Sequence, residues 1–309
     1  MEQKLQRFNK WMSYSFGGIE YGPKRFPNDI FKIHFNTTIS RELPSYKDAL
    51  INNAKLMRDS YSEPFDVCLS GGTDSEVVVR TFKEAGISHN TFIFKLENDI
   101  NVRDVNHATD LCNELGLDYK IIDFNLKKFF KNEAEELFNK TLIPAAGRLP
   151  RLKFIDYLDN IPVFCDGEPY WRRKLEEDYT QQSPWLFYLT EDAYSVSIYA
   201  DQIGRIVIGD WYEFTPEVIM AYKELPYVKQ LFNDEITGKI SNISSKAIIH
   251  QEYWPDLKFK PKLVGYEGPS GLQGSRPDFI SHFYSKHVQV IENVVYKYSE
   301  EELDRLIFK

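Results

Sequence analysis

The sequence feature that most constrains this chain is a glycine pair between an apolar strand pattern and a helix pattern. The apolar stretch at 65–69 predicts a buried strand. The loop that follows consists of Ser70, Gly71, Gly72, Thr73, Asp74 and Ser75. Residues 73–75 are good N-cap types and predict that a helix starts here. Adjacent glycines can adopt positive φ and turn their N–H groups toward one concavity at the positive end of the helix dipole. The stretch therefore predicts a strand, a tight turn and a helix start that suits a phosphate or pyrophosphate.

The order of strand and helix patterns predicts the fold class. Residues 91–96 and 118–124 are typical of strands, and 104–115 is typical of a helix between them. Strands separated by helices imply right-handed crossovers, and ligands in such sheets bind beyond the carboxyl ends of the strands. We therefore predict an α/β fold with a doubly wound, mainly parallel sheet.

Three regions are expected along the chain. We expect residues 1–44 to form an amino-terminal flap or small sheet and residues 45–180 to form the α/β domain that contains the glycine loop. Residues 181–309 should form a mostly helical extension that closes the cleft beside it. Within the last region, 195–199 and 205–208 predict the two strands of a hairpin, and Thr215-Pro216-Glu217 predicts a helix start.

The six-residue loop resembles the pyrophosphate loop of the N-type ATP pyrophosphatases, the PP-loop superfamily. A Walker-type loop is excluded, because no Lys-Ser or Lys-Thr follows the glycines. An ordinary Gly-Gly turn is the alternative, but the flanking strand and helix patterns favour the nucleotide interpretation. The resemblance implies ATP and Mg²⁺ as cofactors.

The resemblance also implies roles for individual residues. Those that would bind the pyrophosphate through N–H and hydroxyl donors are Ser70, Gly71, Gly72, Thr73 and Ser75. Asp74 would cap the helix or orient Mg²⁺, and is a catalytic candidate. In the superfamily, main-chain groups at the carboxyl end of the second strand hold the adenine, which makes Leu96 the candidate here.

A second charged group follows the strand predicted at 162–165. Asp166-Gly167-Glu168 places two acids on a glycine turn, and cations follow at 172–174. Carboxylates there could hold Mg²⁺ on the pyrophosphate, since this ion prefers oxygen ligands that it shares with substrate phosphates. A cation there could neutralise the leaving group. The metal candidates are thus Asp74, Asp166 and Glu168, with Arg172 as a catalytic and Gly167 as a nucleotide-binding candidate. A solvated charged face at a helix start is the alternative.

The acid-glycine-acid turn looks like the synthetase domain of the asparagine synthase branch, where the stretch reads approximately S-G-E-G-x-D-E. This chain lacks the second glycine and the terminal Asp-Glu pair. The basic, glycine-punctuated stretches at 245–249 and 258–269 are similar to the carboxyl-terminal region of that branch. The likeness implies Lys246 as a catalytic candidate, with Lys260 and Lys262 as secondary ones. A surface loop with solvated lysines is the alternative.

Composition limits the partners. The 309 residues carry a net charge of −8, which argues against extensive nucleic-acid binding. No apolar run approaches the ~20 residues that cross a bilayer, and the amino terminus lacks a signal-peptide pattern, so a cytoplasmic protein without membrane partners is expected. Cys68, Cys112 and Cys165 form no CxxC pair, and the six histidines show no metal-ligand spacing.

The resemblance implies that a substrate carboxylate or amide carbonyl attacks the α-phosphorus of ATP, after which pyrophosphate leaves and a nitrogen or sulfur nucleophile takes the adenylate. The first hypothesis is an asparagine synthase-like ligase acting on a small-molecule acid, with ammonia or an amine from solution, another substrate or a donor protein. The second is thiolation or another modification of a tRNA or nucleobase acceptor, in which Cys165 could carry sulfur. The third is a non-catalytic ATP-binding regulatory or partner protein, which the incomplete acidic motif favours.

Overall fold

The computed structural model describes residues 11–165, 167, 169–173, 184–226, 228–236, 242–258, 278–289 and 291–309. For residues 172–173, 232, 235–236 and 242–246 it describes the backbone alone. Among the sequence candidates, Asp166, Glu168, Lys260 and Lys262 lie outside the described residues. No helix in the described ranges is long and apolar enough to cross a membrane.

Strands and helices alternate through the first half of the chain. The strands are β1 (Met12–Phe16), β2 (Ile19–Glu20), β3 (Phe31–Phe35), β4 (Phe65–Cys68), β5 (His89–Leu96), β6 (Tyr119–Phe124), β7 (Ile161–Val163), β8 (Trp171–Arg173), β9 (Trp185–Thr190) and β10 (Val295–Ser299). The helices are α1 (Tyr46–Ser60), α2 (Thr73–Glu84), α3 (Val102–Leu115), α4 (Leu126–Asn132), α5 (Ala134–Thr141), α6 (Leu149–Phe154), α7 (Ser195–Ile203), α8 (Pro216–Lys223), α9 (Val228–Ile236), α10 (Asn242–Gln251), α11 (Asp278–Phe283) and α12 (Glu300–Ile307).

A four-stranded parallel sheet with the order β6-β5-β4-β7 lies at the centre of the fold. Phe65 at the start of β4 pairs with His89 of β5 and with Ile161 of β7, so these three strands run in register. The connections from β4 through α2 to β5, and from β5 through α3 to β6, are the predicted crossovers. The predicted α/β class with a parallel sheet is confirmed.

Both faces of the sheet are covered at its inner strands β4 and β5, as the apolar patterns of these strands require. Along β5, Ile93 packs into one cluster of buried apolar side chains, whereas Phe92 and Phe94 pack into a second one. Successive residues of a strand point to opposite faces, so the two clusters lie on opposite sides of the sheet. Their burial fixes β4 and β5 in place, and with them the loop that follows β4.

Two antiparallel sheets flank the centre. Strands β1, β2 and β3 form one of them, with the order β2-β1-β3, and β8, β9 and β10 form the other, with the order β10-β9-β8. Strand β3 lies in the amino-terminal region for which a flap or small sheet was predicted, and the cap, proline and acid at 215–217 begin α8.

The predicted hairpin at 195–208 is wrong, because residues 195–203 form helix α7. The β-branched and aromatic residues of this stretch favour a strand by propensity, but tertiary packing prevails. Val196 and Tyr199, three residues apart on one helix face, are buried in the same apolar cluster. Gly204 ends the helix at φ +67°, and Ile208 then pairs in parallel with Val163 of β7 instead of with a hairpin partner.

Candidate functional site

The loop Ser70–Ser75 connects the carboxyl end of β4 to the first turn of α2. Gly71 adopts φ +80°, a region that favours glycine. A Cβ atom on Gly71 would lie 2.0 Å from the main-chain oxygen of Asp104 in α3. Glycine is therefore required here by the chain itself, for its positive φ and for the close approach of α3.

Gly72 has a different reason to be glycine. It is the N-cap of α2 in an extended conformation, and no described side chain caps the helix. Among the described atoms, a Cβ on Gly72 would come within 4 Å of Ser70 Oγ alone, at 3.6 Å. The first N–H groups of a helix have no intrahelical acceptor and carry partial positive charge. The start of α2 thus offers an approachable set of donors to an anion.

The two serines of the loop hold its shape. The Ser70 N–H donates to Ser75 Oγ over 3.2 Å, and the Ser75 hydroxyl donates to the Gly72 carbonyl over 3.0 Å. The hydroxyl oxygens of the two serines lie 3.1 Å apart. These bonds fix the turn before any ligand arrives. Direct contact of the hydroxyls, or of Thr73, with a pyrophosphate stays a prediction.

Asp74 is braced from a distant part of the chain. The Tyr212 hydroxyl donates to the main-chain oxygen of Asp74 over 2.8 Å, and Tyr212 belongs to a 3₁₀ turn, Trp211–Glu213, ahead of α8. No sequence pattern indicated this contact, because Tyr212 lies outside every motif recognised in the chain. The brace fixes the first turn of α2, which carries the candidate carboxylate.

Cys165 lies beside this carboxylate. Burial, followed by the charge of Asp74, raises the pKa of the Cys165 thiol, while Arg151 opposes the rise. The Cys165 sulfur lies 3.9 Å from the main-chain oxygen of Cys68, which ends β4. Asp74 therefore sits on the side of the loop that faces the chain leaving β7. Asp166 and Glu168 follow in the sequence, outside the described residues.

Arg151 is a charged residue near the site that the sequence analysis did not select. It lies in α6, and its charge acts on the thiols of both Cys68 and Cys165. Burial outweighs that charge, so the pKa of each thiol is raised. Arginine remains charged at any ordinary pH, which brings a permanent cation near the end of the central strand.

The carboxyl end of β5 is arranged in another way. The Leu96 N–H donates to Asn101 Oδ1 over 2.8 Å, and Asn101 Nδ2 donates to the main-chain oxygen of Phe94 over 2.8 Å. The N–H that would face an adenine is thus occupied by an amide of the chain's own. The proposed contact of Leu96 with the base stays a prediction, and it requires either a different main-chain group or displacement of Asn101.

The remaining candidates are placed by their backbone alone. Arg172 lies in β8, where it pairs with Leu186 of β9, and Lys246 lies in α10, which packs against α2. The side chains of Arg172 and Lys246 are not described. Gly167 adopts φ +80°, in keeping with the predicted glycine turn.

The described residues contain no group of three or more His, Cys, Asp and Glu side chains that could hold a metal ion. Mg²⁺ commonly binds through one or two carboxylates plus substrate phosphates, so Asp74 alone is compatible with it. The oxygen-only chemistry of the candidate set, Asp74, Asp166 and Glu168, also suits this ion.

No family model and no curated protein matches the chain. Among solved structures it is similar to NMN synthetase from Francisella tularensis, at 15% identity, with 70% of this chain and 95% of that chain covered and a TM-score of 0.32. It is also similar to the NH3-dependent NAD synthetase of Campylobacter jejuni subsp. jejuni NCTC 11168, at 16% identity, 79% and 92% coverage and a TM-score of 0.34. A third similar structure is the glutamine-dependent NAD+ synthetase of Acinetobacter baumannii. Its sequence identity is 13%, the match covers 82% of this chain and 53% of that chain, and the TM-score is 0.32. At such TM-scores the likenesses carry no conclusion about the activity of this chain.

Proposed function

We propose that the protein is an ATP-dependent synthetase that adenylates a substrate carboxylate or carbonyl, releases pyrophosphate and transfers the activated group to a nitrogen nucleophile, as in the asparagine synthase branch. The supporting observation is the start of α2, where Gly72 leaves the helix without a described side-chain cap at the carboxyl end of the central strand. This is where a parallel sheet binds its ligand and where a pyrophosphate finds N–H donors.

In this proposal the protein contributes positioning and charge. The N–H groups of the first turn of α2 bind the pyrophosphate, and the absence of a Cβ on Gly72 lets phosphate oxygens approach the backbone. The bonds between Ser70 and Ser75, and the brace from Tyr212, hold these donors in place before the reaction. Groups that are already oriented stabilise developing charge without paying for reorganisation.

Charge on the departing pyrophosphate is the main electrostatic demand of such a reaction. Asp74 would hold Mg²⁺ together with the phosphates, and the ion supplies positive charge when bound. Arg151 adds a permanent cation near the same strand end. Arg172 and Lys246 remain proposed sources of further positive charge.

The environment of Cys165 favours nitrogen over sulfur as the nucleophile. A sulfur carrier needs a thiolate, and the raised pKa of the buried Cys165 thiol opposes its formation. The net charge of −8 also gives a tRNA acceptor no general attraction. We therefore expect Cys165→Ser to leave the transfer step intact.

The test is release of AMP and pyrophosphate from α-labelled ATP with Mg²⁺, ammonium and a panel of carboxylic acids. Acid-dependent exchange of labelled pyrophosphate into ATP would isolate the adenylation step. Asp74→Asn should slow both readouts roughly 100-fold, whereas Asp59→Asn, at an exposed position of α1, serves as the matched control. ATP binding without turnover under all these conditions would favour the regulatory hypothesis, and absence of ATP binding would overturn the proposal.

A further inference from the structure

A cavity lies between α1, the chain that precedes α1 and the start of α8. Its volume is about 540 Å³, and its lining includes Glu42, Leu43, Asn52, Asn53, Leu56 and Glu217. None of its described lining residues belongs to the loop Ser70–Ser75. Small-molecule sites typically measure roughly 300–1,000 Å³, so the cavity has the size of a ligand site. We propose that it binds a small aliphatic amine in its protonated form.

Two carboxylates, those of Glu42 and Glu217, line this cavity. Glu42 and Glu217 form no ion pair with any described residue. The basic residues nearest to Glu42 in the chain are engaged elsewhere. The Arg41 guanidinium lies over the Phe308 ring, 5.0 Å from its centroid, and Lys47 Nζ lies 2.8 Å from Glu84. Among the described residues, the cavity therefore presents two carboxylates that form no ion pair.

A buried amide on the cavity wall adds an acceptor. Asn53 is 1% exposed, and its Nδ2 donates to the Trp211 carbonyl over 3.0 Å, which fixes the orientation of the amide. Its Oδ1 is buried and has no hydrogen-bond partner among the described residues. A buried acceptor without a donor destabilises the structure. Because Oδ1 has almost no accessible surface, an N–H donor in the cavity reaches it only after a small movement of the surrounding wall, and it would then satisfy this oxygen.

The rest of the lining selects an organic cation over a metal ion. Leu43 and Leu56, with neighbouring proline and alanine, supply apolar surface that an alkyl chain can cover. No group of three or more metal-ligating acids, histidines and cysteines is found in the described residues. An ammonium group against the carboxylates and a short alkyl chain against the leucines match this surface.

The test is isothermal titration calorimetry with n-butylamine and 1,4-diaminobutane at constant ionic strength and neutral pH. Butanol and butyrate, which have the same chain length but no ammonium group, are the control ligands. Saturable binding of the amines, and none of butyrate, is expected. Glu42→Gln and Glu217→Gln should each weaken amine binding roughly tenfold, since a charge-assisted hydrogen bond is removed. Glu301→Gln, which changes an exposed first-turn carboxylate of α12, is the matched control. Thermal unfolding of each variant verifies that it is folded.

A second readout locates the bound probe. The side-chain amide signals of Asn52 and Asn53 in an NMR spectrum should shift with the same saturation as the titration heat. The proposal is overturned if no amine binds up to about 50 mM, if butanol binds as tightly as butylamine, or if both Gln variants retain the affinity of the unchanged protein. It does not depend on ATP turnover, so failure of the synthetase assay leaves this test unaffected.

Discussion

The carboxyl ends of β4 and β5 lie side by side in the parallel sheet, but the chain treats their main-chain polar groups differently. After β4 it turns through Gly71 and enters α2 without a described side-chain cap. After β5 the amide of Asn101 bonds both the Leu96 N–H and the Phe94 carbonyl. A position at the ligand-binding edge of a sheet is therefore not sufficient. In the loop after β4 the Ser70 and Gly72 N–H groups also donate to serine hydroxyls. The donors left for a ligand there are those of the first turn of α2, which no described side chain caps.

The largest effect is expected from comparing the stability of alanine variants of Gly71 and Gly72, the two glycines after β4. Gly71→Ala should destabilise the fold by about 4 kcal/mol, because it combines positive φ with a Cβ placed against the Asp104 carbonyl. Gly72→Ala should cost no more than about 1 kcal/mol, since that site has a negative φ and open space. Urea unfolding measures both costs.

ATP binding should depend on Gly72, the glycine whose substitution costs little stability. If the start of α2 binds a pyrophosphate, Gly72→Ala weakens ATP binding in a folded protein, since its methyl group stands where phosphate oxygens approach. Equal ATP affinity of Gly72→Ala and the unchanged protein would mean that the nucleotide does not approach the backbone at this point.

The 3₁₀ turn Trp211–Glu213, which braces the start of α2, should make the stability of the protein depend on pH through Glu213. Burial, followed by the charge of Asp210, raises the pKa of Glu213 from 4.5 to about 8, although the Tyr194 hydroxyl donates to it. The folded state thus holds this proton more tightly than the unfolded state. The contribution to stability is complete below about pH 4.5 and is lost as the pH rises toward about 8.

Between pH 5.5 and 7.5 the free energy of unfolding should therefore fall by about 2.5 kcal/mol, slightly less than 1.4 kcal/mol per pH unit. Glu213→Gln, which imitates the protonated acid, should remove most of this slope in urea titrations at several pH values. Glu20→Gln, at an exposed carboxylate of β2, should keep it. A slope that persists in Glu213→Gln would show that other groups cause it.

Asn101→Ala should free the Leu96 N–H and the Phe94 carbonyl at the end of β5. Loss of two hydrogen bonds should destabilise the fold by about 2 kcal/mol. If Leu96 holds the base, ATP affinity should rise in this variant, because the competing amide is gone. Measured ATP affinity that stays the same or falls would remove the Leu96 N–H from the base site.

The smallest effect is expected from Tyr212→Phe, which deletes only the hydroxyl that bonds the Asp74 carbonyl. We expect a loss of about 1 kcal/mol in stability. Turnover should fall more than ATP affinity, since the first turn of α2 would be held less firmly during the reaction. Tyr188→Phe, in β9 of another sheet, is the control. Equal effects of the two changes on turnover would show that the hydrogen bond from Tyr212 to Asp74 does not support the reaction.

Local patterns were sufficient for the elements whose residues interact with their neighbours along the chain. The strand before Ser70, the glycine turn and the helix of α2 were predictable because apolar periodicity and cap residues are short-range signals. The same kind of signal misassigned α7, since its β-branched residues fit a strand as well as they fit the two apolar clusters that enclose them.

The amino-acid pattern alone was enough to locate the parallel sheet, its central strand and the glycine loop. Three contacts became visible only in the folded structure. The main chain of α3 packs against Gly71, the Tyr212 hydroxyl bonds the main-chain oxygen of Asp74 across 138 residues, and the Asn101 side chain bonds the Leu96 N–H at the end of β5. These contacts depend on how separate elements pack, and a packing contact imposes no fixed spacing on the residues that make it.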